Sequence, residues 1–411
     1  MTMSTIITDI GQLVTPVGGP RPLSGKKMKE LSLQRDVQIR IKDGKIAAVE
    51  ARGKEADSHD LIIDAGGGVV IPGLIDPHTH AVFAGTREEE FLARCQDRQY
   101  NGGGITSTAR RVAQTSEEEL IVSASHRLKE MLSHGTTTIE IKSGYGLDME
   151  NEIKILNVIK RLDKENPLRF VATFLGAHSF PSGMRRADYI SSIITTMIPY
   201  VSRHRLAKFC DVFCDRGFYT INEARTILRA ARGAGLLLKL HADELTSIGG
   251  AELAAQLEAT SADHLLRISD RGIEAMKEAG VIAVLLPGTA FSLNRRYAPA
   301  RKMIDAGLPI ALASDFNPGT CLINSQLLII GLAVMKMGLT IEEALTAATL
   351  NAAASLEMAD AIGSLEEGKS ADLVILDLDN YRQIPYFFGH NPVMKVLING
   401  QLVWDRERNR Y

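Results

Sequence analysis

Five of the ten histidines lie at or just after the ends of short apolar runs that are typical of β-strands. His78 and His80 end one such run, and residues two apart on a strand point to the same face, roughly 6–7 Å apart. Two imidazoles on one face can bind one cation. His241 and Asp315, each at another strand end, would complete a mixed nitrogen and oxygen ligand set. Such a set suits zinc or ferrous iron and leaves one position open for water.

An incidental His-x-His pair in a loop is the alternative interpretation of His78 and His80. Two further histidines, His178 and His264, also follow strand-like runs, and Glu244 and Asn317 lie close by in the chain. Surface histidines scattered at random would not sort in this way. The pattern therefore favours a reactive centre assembled from several strand ends.

The elements that must position these residues alternate along the middle of the chain. Amphipathic helical patterns, one of them opening with a Ser116–Glu119 capping box, separate eight apolar runs. The runs cover residues 70–76, 137–142, 170–175, 208–213, 236–240, 261–263, 281–286 and 310–314. This order predicts an α/β fold, a (β/α)8 TIM-like barrel whose chemistry lies at the carboxyl ends of its strands. An open doubly wound sheet is also compatible with the pattern alone.

Both ends of the chain show alternating strand patterns instead. Asp43-Gly44 and Asn399-Gly400 each separate two such runs and predict tight hairpins. We therefore expect residues 1–68 and 357–411 to form one composite small β-sandwich domain, with the barrel, residues 69–356, inserted between them.

The composition excludes several other classes of protein. The chain has 411 residues, 45% hydrophobic and 23% charged, which is ordinary for a globular enzyme and unlike a disordered or fibrous chain. The net charge of -2 argues against a nucleic-acid partner held by bulk charge. We expect no membrane partner, because no apolar run is long enough to span a bilayer. Four cysteines and the absence of a signal-peptide pattern predict a reducing cytoplasm.

Two segments carry a resemblance to a known family. Residues 70–80 (VIPGLIDPHTH) resemble the opening signature of the metal-dependent amidohydrolase superfamily, and residues 363–375 (GSLEEGKSADLVI) resemble its return to a small β domain. Further motifs at 140–146, 174–178, 241–244 and 314–320 are similar to one branch of it. That branch opens the cyclic amide of 4-imidazolone-5-propionate to N-formimidoyl-L-glutamate in histidine degradation. The resemblance covers nearly the whole chain.

The resemblance also implies the roles of individual residues. It implies that His78, His80, His241 and Asp315 bind one divalent metal, zinc or iron, and that the chain is a homodimer. Binuclear relatives carry a bridging lysine at the end of the fourth barrel strand, and residues 210–215 contain none. It places His264 near the metal-bound water, and it assigns the substrate to the residues Arg87, Tyr145, His178, Glu244, Asn317, Gly319 and Thr320.

The expected chemistry is hydrolysis by a metal-bound hydroxide, since a divalent cation lowers the pKa of bound water to near 7. The metal and a protonated His264 could stabilise the oxyanion. Asp315 is the favoured proton shuttle, and Glu244 is the alternative. Arg87 and Tyr145 suit the substrate's propionate, because a guanidinium binds a carboxylate through two parallel hydrogen bonds.

Other interpretations stay open at this point. Arg87 could pair on a helix surface, Tyr145 and His178 could be packed core residues, and Glu244 could cap a helix. A heterocyclic-base deaminase and a non-catalytic scaffold would share the fold. The glycines at 102–104 would suit a mobile lid.

Overall fold

The computed structural model describes residues 4–54, 59–96, 98 and 104–408. Seven strands precede the barrel, and they belong to two sheets. In chain order they are β1 (Thr5–Thr8), β2 (Gln12–Pro16), β3 (Leu31–Gln34), β4 (Val37–Lys42), β5 (Lys45–Ala51), β6 (Leu61–Asp64) and β7 (Val69–Pro72). One sheet has the order β5-β4-β1-β6, and its β4–β5 pair is the predicted hairpin at Asp43-Gly44.

Eight parallel strands follow and form the predicted barrel. They are β8 (Leu74–Thr79), β9 (Thr136–Lys142), β10 (Arg169–Ala177), β11 (Phe209–Cys214), β12 (Leu237–Ala242), β13 (Ser261–His264), β14 (Ile282–Leu285) and β15 (Ile310–Leu312). The ring closes just past β15, where the Asp315 amide donates to the His78 carbonyl at 3.1 Å and the His80 amide donates to the Phe316 carbonyl at 2.8 Å. The closure joins the first and last strand ends, so it brings His78, His80 and Asp315 together.

Helices connect the barrel strands, and the capping box at Ser116 and Glu119 is present. A 3-10 turn (Gly25–Lys29) and a π-helical turn (Ile193–Met197) interrupt the series. No helix in the described residues is long and apolar enough to cross a membrane. The helices are α1 (Glu88–Cys95), α2 (Gly104–Gln114), α3 (Glu117–Ser133), α4 (Met149–Glu165), α5 (Arg186–Ser192), α6 (Ile198–Arg203), α7 (Ile221–Gly233), α8 (Gly250–Gln256), α9 (Asp270–Ala279), α10 (Pro287–Ser292), α11 (Ala300–Ala306), α12 (Gln326–Met337), α13 (Ile341–Ala348), α14 (Leu350–Ser355) and α15 (Gln383–Tyr386).

The last three strands return to the N-terminal sheets. They are β16 (Leu373–Leu376), β17 (Val393–Ile398) and β18 (Gln401–Asp405), and they complete a second sheet in the order β18-β17-β16-β7-β2-β3. Asn399-Gly400 forms the predicted turn between β17 and β18. Apolar side chains from both sheets pack into one buried cluster that includes Ile7, Ile39, Ile375 and Leu397. The predicted sandwich built from both ends of the chain is therefore confirmed, as is the fold class.

The run 70–76, predicted as one strand, is divided at Gly73. Strand β7 pairs with β2 and β16 in the terminal sheet, whereas β8 begins the barrel. A Cβ on Gly73 would lie 2.2 Å from Thr137 Oγ1, so only glycine fits this junction. The predicted domain boundaries, residues 1–68 with 357–411 for the sandwich and 69–356 for the barrel, stay a prediction. Because β7 pairs within the terminal sheet, the chain passes from that sheet into the barrel at Gly73.

Candidate metal centre and substrate cavity

Buried imidazoles and one carboxylate meet at the carboxyl ends of the barrel strands. Asp315 Oδ1 lies 3.6 Å from His78 Nε2 and 3.7 Å from His80 Nε2. The ring centroids of His78 and His241 are 4.5 Å apart. Ligand atoms of two overlapping groups each lie within 4.8 Å of one another: His78, His80 and Asp315, and His78, His241 and His264. The structure therefore brings the four predicted metal ligands together.

The side chains at this cluster fit a divalent cation. Ligand atoms that bind one ion at about 2.0–2.2 Å lie roughly 3–4 Å from one another, which matches the separations here. His78 Nε2, the atom that faces Asp315, is buried and has no hydrogen-bond partner in the described part of the chain. Buried polar atoms are normally paired, so this nitrogen is suited to an ion. Burial and the neighbouring cationic groups lower the pKa of His78 and His80, which keeps both rings neutral and able to bind one.

Carboxylates behind the histidines set which ring nitrogen faces the cluster. His78 Nδ1 lies 2.6 Å from Asp263 Oδ2, and His241 Nδ1 lies 3.0 Å from Asp211 Oδ2. A carboxylate only accepts, so His78 Nδ1 carries the proton and His78 Nε2 is left as a ligand, while Asp211 lies in ion-pair contact with His241 Nδ1. The Thr289 hydroxyl donates to Asp315 Oδ2, so Oδ1 faces the histidines.

A cavity of about 410 Å³ opens above the cluster. It is the size of a small-molecule site. Most of the residues predicted to bind the substrate line this cavity, together with three of the four candidate metal ligands. The lining includes Arg87, Tyr145, His178, Glu244, Asn317 and Thr320, together with His80, His241, His264 and Asp315.

Arg87 lies at one wall of the cavity, and its side chain is only 10% exposed. Its Nε donates to Glu90 Oε2 at 2.8 Å, and its Nη2 donates to Glu90 Oε1 at 2.6 Å. Arg94 Nη1 also donates to Glu90, at 2.7 Å. The helix pairing considered for Arg87 is therefore present, and it holds the guanidinium at the cavity instead of in bulk solvent.

His178 and Tyr145 also line the cavity. His178 stacks on His80 with a centroid distance of 5.1 Å, and its Nδ1 lies 3.0 Å from the Gly144 carbonyl oxygen. Burial lowers the pKa of His178 to about 3, so the ring is neutral. Because a carbonyl can only accept, Nδ1 carries the proton and Nε2 is a hydrogen-bond acceptor. Burial raises the pKa of Tyr145, which remains an uncharged hydroxyl.

Residues 69–403 match the amidohydrolase family. The chain is 45% identical to the imidazolonepropionase of Alkaliphilus metalliredigens, over 99% of this chain and 100% of the relative. It is 48% identical to that of Geobacillus kaustophilus, over 95% and 96% of the two chains. This chain belongs to the imidazolonepropionases of the amidohydrolase family. It is accordingly a hydrolase, and its buried histidine cluster supports a divalent metal.

Solved structures of distantly related proteins have the same fold. A guanine deaminase from C. acetobutylicum superposes with a TM-score of 0.71 at 17% identity, over 98% of this chain and 100% of that one. A 5-methylcytosine deaminase from Klebsiella pneumoniae gives 0.73 at 18% identity, over the full length of both chains. At these identities the likeness of this amidohydrolase to the two deaminases concerns the fold alone.

Glu244 and His264 lie beside the amidohydrolase cluster, with Glu244 Oε2 3.7 Å from His264 Nε2. Burial and the Asp315 charge raise the pKa of Glu244 to about 8, so this carboxyl is mostly protonated at neutral pH. Burial and the nearby His241 lower the pKa of His264. The expectation of a protonated His264 is therefore not favoured by its surroundings. Among the described residues Glu244 caps no helix; Asp243 instead accepts from the Ile248 amide before α8 and from the Gly250 amide at its first residue.

Asn317 mainly shapes the loop after β15. Its Oδ1 accepts from the amides of Gly319 at 2.9 Å and Thr320 at 2.8 Å, and its Nδ2 donates to the Asp315 carbonyl. Gly319 lies against the Arg87 guanidinium instead of lining the main cavity. Gly102 and Gly103, considered for a lid, lie outside the described residues, and Gly104 begins α2.

Proposed function

We propose that this chain hydrolyses 4-imidazolone-5-propionate to N-formimidoyl-L-glutamate in histidine degradation. The observation that carries this proposal is the 45% and 48% identity, over nearly the whole chain, to two enzymes named imidazolonepropionase. The cavity agrees with such a substrate, because it combines a candidate metal centre with a guanidinium at its wall. The substrate itself is a small anionic heterocycle.

The proposed centre holds one zinc or iron ion, bound by His78, His80, His241 and Asp315. A divalent cation held by these residues would activate water as a nucleophile at neutral pH. Strand β11, the fourth in the barrel, consists of FCDVFC and carries no lysine that could bridge two ions. A single ion is therefore the proposed content of each chain.

Arg87 and Tyr145 are proposed to hold the propionate. A carboxylate can bind the guanidinium of Arg87 and accept from the neutral Tyr145 hydroxyl. His178 Nε2, an acceptor in the neutral ring, is proposed to accept a hydrogen bond from a ring N–H of the substrate. Asn317, Gly319 and Thr320 are proposed to support the ring and the tail from the loop after β15, Gly319 by its close contact with Arg87.

Ring opening adds a water oxygen to the ring carbonyl carbon, breaks the adjacent C–N bond and puts one proton on the leaving nitrogen. We assign Asp315 to accept the water proton and return it, since its pKa, raised to about 6 by burial, leaves it mostly ionised at neutral pH. Protonated Glu244 is proposed to donate a hydrogen bond to the substrate, with His264 oriented beside it.

The proposal is tested by offering the purified chain 4-imidazolone-5-propionate beside guanine, cytosine and 5-methylcytosine. We expect loss of the imidazolone and formation of N-formimidoyl-L-glutamate, with zinc or iron found in the same sample by elemental analysis. Ammonia release from a base, with the imidazolone left intact, would identify a deaminase instead. An inert, metal-free chain would identify a scaffold.

A cytoplasmic homodimer, without nucleic-acid or membrane partners, belongs to the same proposal. All four cysteines are free, which agrees with a reducing compartment. The structure contains one chain, so the dimer rests on the family resemblance.

Gly319→Ala should weaken substrate binding without disturbing the metal centre. A Cβ there would lie 2.2 Å from Arg87 Nη1, so the guanidinium has to move away. We expect KM for the imidazolone substrate to rise about tenfold, the effect of one weakened charged hydrogen bond. Metal content should stay unchanged. Gly233→Ala in α7 is the matched control, because nothing lies within 4 Å of its added Cβ. Equal KM values for both variants would contradict the placement of Arg87.

A further inference from the structure

A layer of charged side chains fills the barrel just below the candidate metal ligands. Glu140 and Lys142 on β9, Asp211 on β11, Lys239 on β12 and Asp263 on β13 all have completely buried side chains. Barrel interiors are usually filled with branched apolar residues, and burying ions costs several kcal/mol each. An apolar layer would serve stability at least as well, so the charged layer needs a functional reason.

Lys142 occupies the central position of this layer. Its Nζ lies 2.9 Å from Asp211 Oδ2, 3.4 Å from Asp263 Oδ2 and 2.9 Å from Glu140 Oε1. The first two oxygens are the same atoms that face the Nδ1 atoms of His241 and His78. One ammonium therefore binds both carboxylates that orient two of the candidate ligands.

We propose that Lys142 is a positioning residue that sets the affinity of the metal centre by holding Asp211 and Asp263 against His241 and His78. This inference rests on the proposed function, in which those histidines bind the ion. Without the ammonium, two buried carboxylates face each other with no shared cation, and each loses the contact that holds its Oδ2 in place beside its histidine. Losing a partner behind a ligand histidine typically lowers metal affinity 10–100-fold.

Lys239 provides a matched comparison within the same layer. Its Nζ donates to Glu140 Oε2 at 3.0 Å and lies 3.5 Å from the Pro77 carbonyl oxygen. In the described part of the chain its only ion pair is with Glu140, and it forms none with Asp211 or Asp263. Both lysines are equally buried and both contact Glu140. They differ because Lys142 also pairs with Asp211 and Asp263, which is the contact on which the proposal depends.

The test compares Lys142→Met with Lys239→Met. Each apo variant is titrated with Zn²⁺ against a competing chelator, and with Co²⁺ while its visible absorption is recorded. Lys142→Met should bind Zn²⁺ 10–100-fold more weakly and show an altered Co²⁺ spectrum. Lys239→Met should stay within about threefold of the unchanged chain, because its loss leaves both aspartates paired. Both variants should lose thermal stability, so stability alone does not distinguish them.

If Lys142→Met fails to fold, the comparison is repeated with two double variants, in which Glu140→Gln is combined with Lys142→Met or with Lys239→Met. Each of these removes one positive and one negative charge. Equal Zn²⁺ affinities within either folded pair would overturn the role of Lys142 while leaving the proposed function intact. An unchanged chain that binds no Zn²⁺ would overturn the proposed metal centre and this inference with it.

Discussion

Asp315→Ala is expected to lower kcat for ring opening at least about 10³-fold. Asp315 is both a proposed ligand, with Oδ1 3.6 Å from His78 Nε2, and the proposed proton carrier. Activation of water by a cation contributes several kcal/mol, and each 1.36 kcal/mol is a factor of ten in rate. Metal per chain should fall as well, because the variant loses the only carboxylate among the proposed ligands. Steady-state kinetics and elemental analysis measure the two effects.

His78→Ala should have the same effect on kcat and metal content as Asp315→Ala. Far-UV circular dichroism should stay close to that of the unchanged chain for both variants, since the altered side chains lie at strand ends. His126→Ala is the control, because His126 lies exposed on α3, away from the cluster. Near-normal turnover by either cluster variant would refute the ligand assignment.

Arg87→Met should lower kcat/KM for 4-imidazolone-5-propionate about 10²-fold, chiefly through KM. A hydrogen bond to a charged partner contributes about 1.5–3 kcal/mol, and a guanidinium makes two of them to one carboxylate. Methionine keeps much of the arginine stem and removes the charge. Initial rates over a range of substrate concentrations give both constants.

The carboxamide analogue of the substrate separates anion binding from other effects of Arg87→Met. If Arg87 binds the propionate, the uncharged analogue should be a poor substrate for the original chain. Its kcat/KM should then fall little further when Arg87 is replaced by methionine. An equal loss on both compounds would mean that Arg87 acts through Glu90 and the fold of α1, not on the anion. Zinc content should be the same in both proteins.

The sequence predicted the centre because its ligands follow a simple rule of position. His78, His80, His241 and Asp315 each stand at the end of an apolar run, and a parallel barrel brings all such ends to one mouth. Both the order of runs and the hairpin glycines are local signals, so the barrel and the terminal sandwich could also be predicted. Family resemblance, and not spacing, selected Arg87 and Tyr145.

The supporting residues could not be predicted in the same way. Asp211 and Asp263 lie within the predicted strand runs 208–213 and 261–263, but their partners are histidines on other strands, and the register between strands decides that pairing. Lys142 lies 69 residues from Asp211 in the chain. Thr289 reaches Asp315 from the first turn of α10. The available signal was a charged residue inside a strand of threonine and isoleucine, as at Glu140 and Lys142 in β9.

The position of β16 between β7 and β17 has a consequence for synthesis on the ribosome. Strand β7 pairs with β2 early, but its other edge receives β16 only after about 300 more residues are translated. At about 5–20 residues per second, that interval lasts roughly 15–60 s. During it the nascent polypeptide carries an apolar strand with one open edge, which is a template for aggregation. Premature termination before β16 would leave that edge open permanently, so we expect truncated chains to aggregate more readily than the full chain.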